Sequence, residues 1–396
     1  AALLRRNAMY FNRSPLEALE EIARDHPSEG FKQWILGYTS VLRSGGDVAA
    51  YLASKARGFL KALERKWDNY ANTTNVLGEA VLALFLICPL SIALMSLIFA
   101  GELSLLVNNV YSFVVVPSVA LLSAAFIHYA QPRTFDTYEL KAPLLSSIFI
   151  GACFFTALEY MANLELHECL LFSLIALSAP LAVISYGQIK AANQAEKALP
   201  DFLRDITEQV KLGFDINESI KRMSYRSYNK YFDEILAYIR NHLALGGPFE
   251  ETVEALKTPS WTVKATFLIL AQVSESGVAK PIVLEMLTDY VSDYCSAKSN
   301  GKSSVKLQVY VGYGAPAFMV VGVAMLRALA KQIAPTSLMP SQALLMPSYL
   351  AFIEVLPSVM TMVVVTSFII GVVVAKIYDL TFLSFKHPLT CLLYTS

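Results

Sequence analysis

Two short stretches carry residue types that could do chemistry. The first, Ser296–Ser304 "SAKSNGKSS", sets Gly301 and Lys302 before two serines, as a phosphate-cradling loop would. Such a loop needs another glycine five positions before Gly301, where Ser296 stands. It also needs a preceding strand, and none precedes it; an apolar run follows, so nucleotide binding is set aside. The second, Glu165–Cys169 "ELHEC", offers carboxylate, imidazole and thiol within five residues. A zinc site normally recruits ligands from two elements, and no second cluster lies nearby, so this reads as a short solvated turn. None of the five histidines has a partner at helical metal-binding spacing, and no Ser, His and Asp arrangement can be argued. The five cysteines, Cys88, Cys153, Cys169, Cys295 and Cys391, lack the spacing of a disulfide framework or a metal knuckle and read as small apolar side chains. The expectation is a chain with no catalytic residue, no cofactor and no metal.

The elements around these stretches explain the missing chemistry. Of 396 residues, 55% are hydrophobic and only 16% charged, against about 25% charged in an ordinary soluble domain. Lysine plus arginine and aspartate plus glutamate number 32 each, so no global charge favours nucleic acid. Apolar runs near the length of a membrane span occur at 80–100, 110–130, 142–161, 170–186, 309–326 and 355–375. Another apolar rise begins near Phe382, and the chain reads as truncated at both ends.

Orientation follows from the basic residues in the connections. Residues 1–75 carry eleven, 131–141 two and 188–306 fifteen, whereas 101–109 and 163–169 carry none and 331–351 only Lys331. If the spans alternate, every basic segment falls on the cytoplasmic side. Glu79, Glu159 and Glu354 then lie near the membrane surfaces and read as interfacial anchors, with Glu159 or Glu354 a weaker candidate for meeting a charged helix terminus. Pro89, Pro117, Pro180, Pro316 and Pro357 fall in or near the spans and favour kinks.

The two long polar segments are helix-rich. Leu199, Phe202, Leu203, Ile206 and Val210 recur at three and four, the apolar face of an amphipathic helix with Pro200 in its first turn. Asp215 reads as an N-cap, with Glu218 completing a capping-box-like start. Phe232, Ile235, Leu236, Ile239 and Leu243 form the next stripe, ended by Gly246-Gly247. Residues 188–306 are therefore expected to form a bundle of about five or six helices.

An offset of 201 residues reproduces this pattern upstream. Ser14 falls on Asp215, Glu17 on Glu218, Phe31 on Phe232, Ile35 on Leu236, Leu42 on Leu243 and Val48 on Phe249. Gly45 and Gly46 fall on Gly246 and Gly247. The pairing of caps, apolar phase and double glycine is read as a duplicated helical bundle, with each glycine pair turning the chain back at a left-handed helix end.

These residues resemble a family: the polytopic platform proteins built on the type II secretion system F domain, and among them the archaeal branch that serves archaella and type IV-like pili. The stretches concerned are Leu199–Ile220 "LPDFLRDITEQVKLGFDINESI", Leu245–Leu256 "LGGPFEETVEAL", Leu268–Gly277 "LILAQVSESG" and Ser44–Leu52 "SGGDVAAYL", with Gly78–Leu90 and Gly371–Ile377 flanking spans. The first bundle lacks an upstream helix matching Leu199–Leu212 and any counterpart of "LILAQVSESG". The resemblance implies an all-α polytopic membrane protein: a first cytoplasmic bundle at 1–75, four spans in 76–187, a second bundle at 188–306, then two spans and a truncated further one in 307–396. It implies a non-enzymatic platform in the cytoplasmic membrane that couples a hexameric cytoplasmic ATPase to pilin-like subunits and forms a homo-oligomer.

One charge contrast adds a partner hypothesis. Lys221–Lys230 "KRMSYRSYNK" carries Lys221, Arg222, Arg226 and Lys230 and no anion, whereas its counterpart Glu20–Glu29 carries Glu20, Glu21, Asp25 and Glu29 against Arg24. Solvated loop tips account for this blandly; the sharper reading docks the basic tip on an acidic patch of the ATPase. The rival class is a secondary transporter with large cytoplasmic helical domains. Transporter repeats, however, lie in the membrane around ionisable midplane groups, and here the repeat is cytoplasmic.

Overall fold

In a computed structural model, residues 14–98, 102–162, 164–277, 281–333 and 346–395 are described. Among them regular structure is helical throughout, and six helices are long and apolar enough to cross a membrane. The chain is an all-α polytopic membrane protein. Its packing divides it into two compact units, Ala1–Arg65 and Lys66–Ser396.

In the first unit, α1 (Pro15–Arg24) opens on a complete capping box: the Ser14 hydroxyl accepts from the Glu17 N–H and the Glu17 carboxylate accepts from the Ser14 N–H, both at 3.3 Å. Ser28 caps α2 (Glu29–Arg43) through the Phe31 N–H. Two bonds close the end of α2, Gly46 N–H to the Val41 carbonyl and Gly45 N–H to that of Leu42, with Gly45 at φ 68°. This is the paired closure that needs a left-handed residue, and glycine adopts that conformation without a Cβ clash. Helix α3 (Val48–Ile98) then begins, and the Tyr51 hydroxyl donates to the Trp34 carbonyl at 3.2 Å.

The second unit holds the remainder of α3, α4 (Glu102–Val110), α5 (Val116–Ala130), α6 (Lys141–Ala162) and α7 (Leu166–Lys211). A π-helical turn, Tyr111–Val115, joins α4 to α5 directly before Pro117, a proline that cannot donate to the helical ladder. Then come α8 (Ile216–Met223), α9 (Lys230–Ala244), α10 (Phe249–Glu254), α11 (Trp261–Glu275) and α12 (Pro281–Ser304). The chain ends with α13 (Lys306–Ile333), α14 (Met346–Tyr378) and α15 (Lys386–Leu393).

Helix α14 is the hub of the spans: 67% of its most apolar window is buried inside the protein, against 11–39% in the other five. It packs on α4, α5, α7, α13 and α15. Helix α15 stands where the apolar rise after Phe382 suggests a further span; its eight residues lie against α7, α13 and α14. That close approach requires Gly371, because a Cβ there would stand 2.3 Å from the Pro388 Cα.

The bundle core is the face foreseen from periodicity. Leu199, Phe202, Leu203 and Ile206 of α7 pack with Phe232, Leu236 and Ile239 of α9, Phe249 and Val253 of α10 and Phe267 of α11, all within one buried cluster. Phe202 meets Phe232 edge-on with ring centroids 5.2 Å apart.

Helix bounds recur at the same offset of 201. Helix α1 starts at Pro15 and α8 at Ile216; α2 spans Glu29–Arg43 and α9 Lys230–Ala244; α3 starts at Val48 and α10 at Phe249. Gly246 repeats the positive φ of Gly45 at 79°, and Gly247 N–H bonds to the His242 carbonyl as Gly46 does to that of Val41. In each pair only the first glycine is left-handed. Residues 1–13, on which the missing upstream helix falls, lie outside the described residues.

Three local expectations are corrected. Pro200 lies inside α7 and not in a first turn, because the apolar span and the bundle helix form one continuous helix. Asp215 caps α8 by accepting from the Asn217 N–H, but Glu218 pairs with Arg222 and does not close the box. Finally, "ELHEC" is largely the first turn of α7, with Cys169 buried.

Candidate partner surface and ionic collar

The basic tip sits on α8 and the turn to α9. Arg222 lies over the Phe214 ring at 3.7 Å and pairs with Glu218 one turn earlier at 3.2 Å. Arg226 pairs with Asp205 of α7 at 2.8 Å, and the other Asp205 oxygen accepts from the Tyr228 hydroxyl at 2.5 Å. Burial, and then the Asp205 carboxylate, push the Tyr228 hydroxyl well above its ordinary range, so it remains a donor. Asp233 accepts from the Tyr228 N–H and the Ser227 hydroxyl.

The tip is thus a braced platform. Two of its cations are answered by anions of the same bundle; Lys221 and Lys230 make no ion pair among the described residues. Asp205 was invisible from the tip's own sequence because it lies 21 residues before Arg226. In the first copy, Glu20 pairs with Arg43 at 3.2 Å and Glu29 with Lys32 at 3.7 Å.

The structure also assembles a buried ionic collar. Lys298 of α12 donates to both carboxylate oxygens of Glu196 on α7 at 2.9 Å and to Asp136 at 3.2 Å. Asp136 belongs to the connection between α5 and α6, and its other oxygen accepts from the Trp261 N–H at the start of α11. Glu196 also accepts from the hydroxyl of Ser260, the N-cap of α11. The three charged side chains retain only 6–10% exposure. Beside them, burial and then the Asp136 charge raise the Tyr138 hydroxyl far above its ordinary range. The connection is fastened further by Thr137 N–H to the Pro259 carbonyl, and by Gln188, which bonds the Glu139 N–H and carbonyl.

A second polar knot holds α15. Asp379, just beyond α14, meets His387 at 2.9 Å, Lys386 at 3.3 Å and the Ser384 hydroxyl, while Tyr313 meets the other His387 ring nitrogen. Burial alone would raise the Asp379 carboxyl, but the His387 bond and the Lys386 charge prevail and hold it below the usual carboxylate range. A Ser, His and Asp set therefore does exist in space, yet Ser384 donates to the aspartate and all three are buried, so no nucleophile faces a substrate. Among the described residues no group of metal-ligating side chains forms. "SAKSNGKSS" is helical within α12, and Glu79, Glu159 and Glu354 are exposed.

The collar and the knot tie helices of the second unit to one another. Residues 6–96 match the family model of the type II secretion system (T2SS), protein F. The match takes in α1, α2 and nearly all of α3, which is the first copy of the repeated helices together with the first apolar helix. No curated protein and no solved structure matches the chain. The T2SS protein F match and the six apolar helices agree with the fold described above, a helical module joined to membrane spans.

Proposed function

We propose that the chain is the cytoplasmic-membrane platform of a type II secretion, type IV pilus or archaellum machine. In this reading both helical bundles lie in the cytoplasm, the spans gather pilin-like subunits, and a cytoplasmic ATPase supplies the energy. The platform itself catalyses nothing and works as a homo-oligomer. The archaeal branch is the variety its sequence most resembles.

The observation that carries the reading is the T2SS protein F match at 6–96, on a segment whose helix bounds return at 216–249. A machine of this kind needs force transmitted from a soluble motor to membrane helices. The collar supports that role, since it ties the connection between α5 and α6 to three helices of the bundle through buried charges. Continuous helix α7 does the same without any joint.

The basic tip is the proposed ATPase contact, through Lys221, Arg222, Arg226 and Lys230. Because Arg222 and Arg226 are paired internally, the clean variant is Lys221→Glu/Lys230→Glu. Co-purification of the full chain with its cognate ATPase should fall sharply in that variant, with helicity unchanged by circular dichroism. Undiminished co-purification of both the double and the fourfold variant would remove the tip from the interface.

A further inference from the structure

A cavity of about 610 Å³, within the size range of small-molecule sites, opens between α7 and α12 beside the collar. Lys197 of α7, Lys302 of α12 and Lys306 of α13 enter its lining from three helices. None of them makes an ion pair among the described residues, and Lys302 meets only the neutral Asn193 amide oxygen, at 3.1 Å. The carboxylates that act on Lys302 are answered already: Glu196 and Asp136 by Lys298, and Asp379 by His387 and Lys386. Burial, and then the Lys298 charge, hold the Lys302 ammonium below the ordinary lysine range. Three unanswered cations on one hollow repel one another, and an anion between them would relieve that repulsion.

The hydroxyls agree. Serines in these helices usually donate back to a carbonyl one turn earlier, as Ser112, Ser123, Ser219 and Ser367 do. Ser296 and Ser299, which line the cavity, make no such side-chain bond among the described residues. Their hydroxyls remain available to oxygen acceptors in the hollow. A phosphate group brings three acceptor oxygens and about 1.5 to 2 negative charges at pH 7. It answers ammonium groups on three helices better than a carboxylate, which has one charge and two oxygens.

Depth selects the source of that phosphate. The apolar runs at 170–186 and 309–326 mark the hydrocarbon edge on α7 and α13. Counted from them at 1.5 Å per residue, Lys302 lies about 10 Å outside and Ser299 about 15 Å. Lys197 and Ser296 lie about 15–20 Å outside by the same count. The headgroup layer occupies about 5–8 Å on each side of the core, and only Lys306, about 5 Å out, falls within it. Most of the donors therefore face the aqueous phase, so the carrier of the phosphate is soluble.

We infer that this cavity binds the phosphate group of a small soluble molecule, held by Lys197, Lys302 and Lys306 with the serine hydroxyls of α12. The lysine and serine residues of "SAKSNGKSS" thus serve phosphate through a helix face and not a loop. The inference stands on the membrane-spanning fold and does not require the platform reading.

The test titrates the full chain, in nanodiscs of phosphatidylcholine, with pyrophosphate in a calorimeter. The unaltered protein should bind it saturably, one per chain. Lys302→Gln/Lys306→Gln should weaken binding by about tenfold per lysine, and Lys302→Arg/Lys306→Arg should keep most of it. Ser296→Ala/Ser299→Ala, which leaves every charge in place, should weaken it by about threefold and decides the matter should the glutamine variant fail to fold. No saturable binding by the unaltered protein overturns the site, as does an affinity unmoved in the folded glutamine variant or, failing that, in the alanine variant. Hexaglutamate binding more tightly than pyrophosphate, and weakened by the same variants, would make the hollow a groove for an acidic peptide and overturn the phosphate assignment. In discs doped with phosphatidylglycerol, native mass spectrometry should find equal lipid retained by the unaltered and glutamine chains. Loss of that lipid from the glutamine chain would make a lipid the source and overturn the soluble one.

Discussion

A lysine with 6% exposure between two carboxylates is tolerable only while all three groups are present. Removing one partner strands uncompensated charge in a medium that solvates it poorly, at a cost of about 3–5 kcal/mol. Lys298→Met should therefore lower the midpoint of thermal unfolding substantially, read by circular dichroism in detergent. The neutral set Lys298→Met/Glu196→Gln/Asp136→Asn retains acceptors for Ser260 and for the Trp261 N–H, and should recover most of the loss. A midpoint unmoved by Lys298→Met alone would show the collar to be incidental. Nothing local announces this cluster, since Lys298 lies 102 residues from Glu196 and 162 from Asp136. The caps and glycine turns were legible because their partners are a few residues away, as Ser14 with Glu17 and Gly246 with Leu243 are.

At the scale of helices, period and hydropathy located all six apolar helices and the bundle face of α7, because burial acts on every residue of a stripe. They failed at Pro200, which they place in the first turn of a helix. The helix runs through instead, and the missing proline N–H frees the Glu196 carbonyl four residues back. Cys295 on α12 answers it, its thiol donating to that oxygen at 3.7 Å. A residue read as a small apolar filler thus supports the continuity of α7 beside the collar. Cys295→Ala should destabilise the protein by about 1 kcal/mol, the usual net worth of one hydrogen bond, and Cys295→Ser should cost less. Equal midpoints for the alanine and serine variants would mean that the proline defect needs no partner. First-copy positions are also less covered than their counterparts, with Leu42 40% exposed and Leu243 8%. Sequence pattern alone makes the two look alike, because it records which face is apolar and not what covers it.

For the molecule as a whole, the decisive quantity is the number of membrane crossings between the two copies. A motor in the cytoplasm can engage both only if that number is even. Four apolar stretches separate Ser54 from Tyr225: the second half of α3, α4 with α5, α6, and the first half of α7. The connections after the first and third stretches, 101–109 and 163–169, carry no lysine or arginine, while the intervening 131–141 carries two. Basic residues resist translocation, so this alternation predicts both copies on the cytoplasmic face. Ser54→Cys and Tyr225→Cys, each placed in a chain whose native cysteines are replaced and Cys295 by serine, offer exposed thiols for the test. A membrane-impermeant maleimide should label both in inverted vesicles and neither in intact cells. Labelling on opposite faces would mean an odd number of crossings, and no single cytoplasmic motor could then act on the two copies.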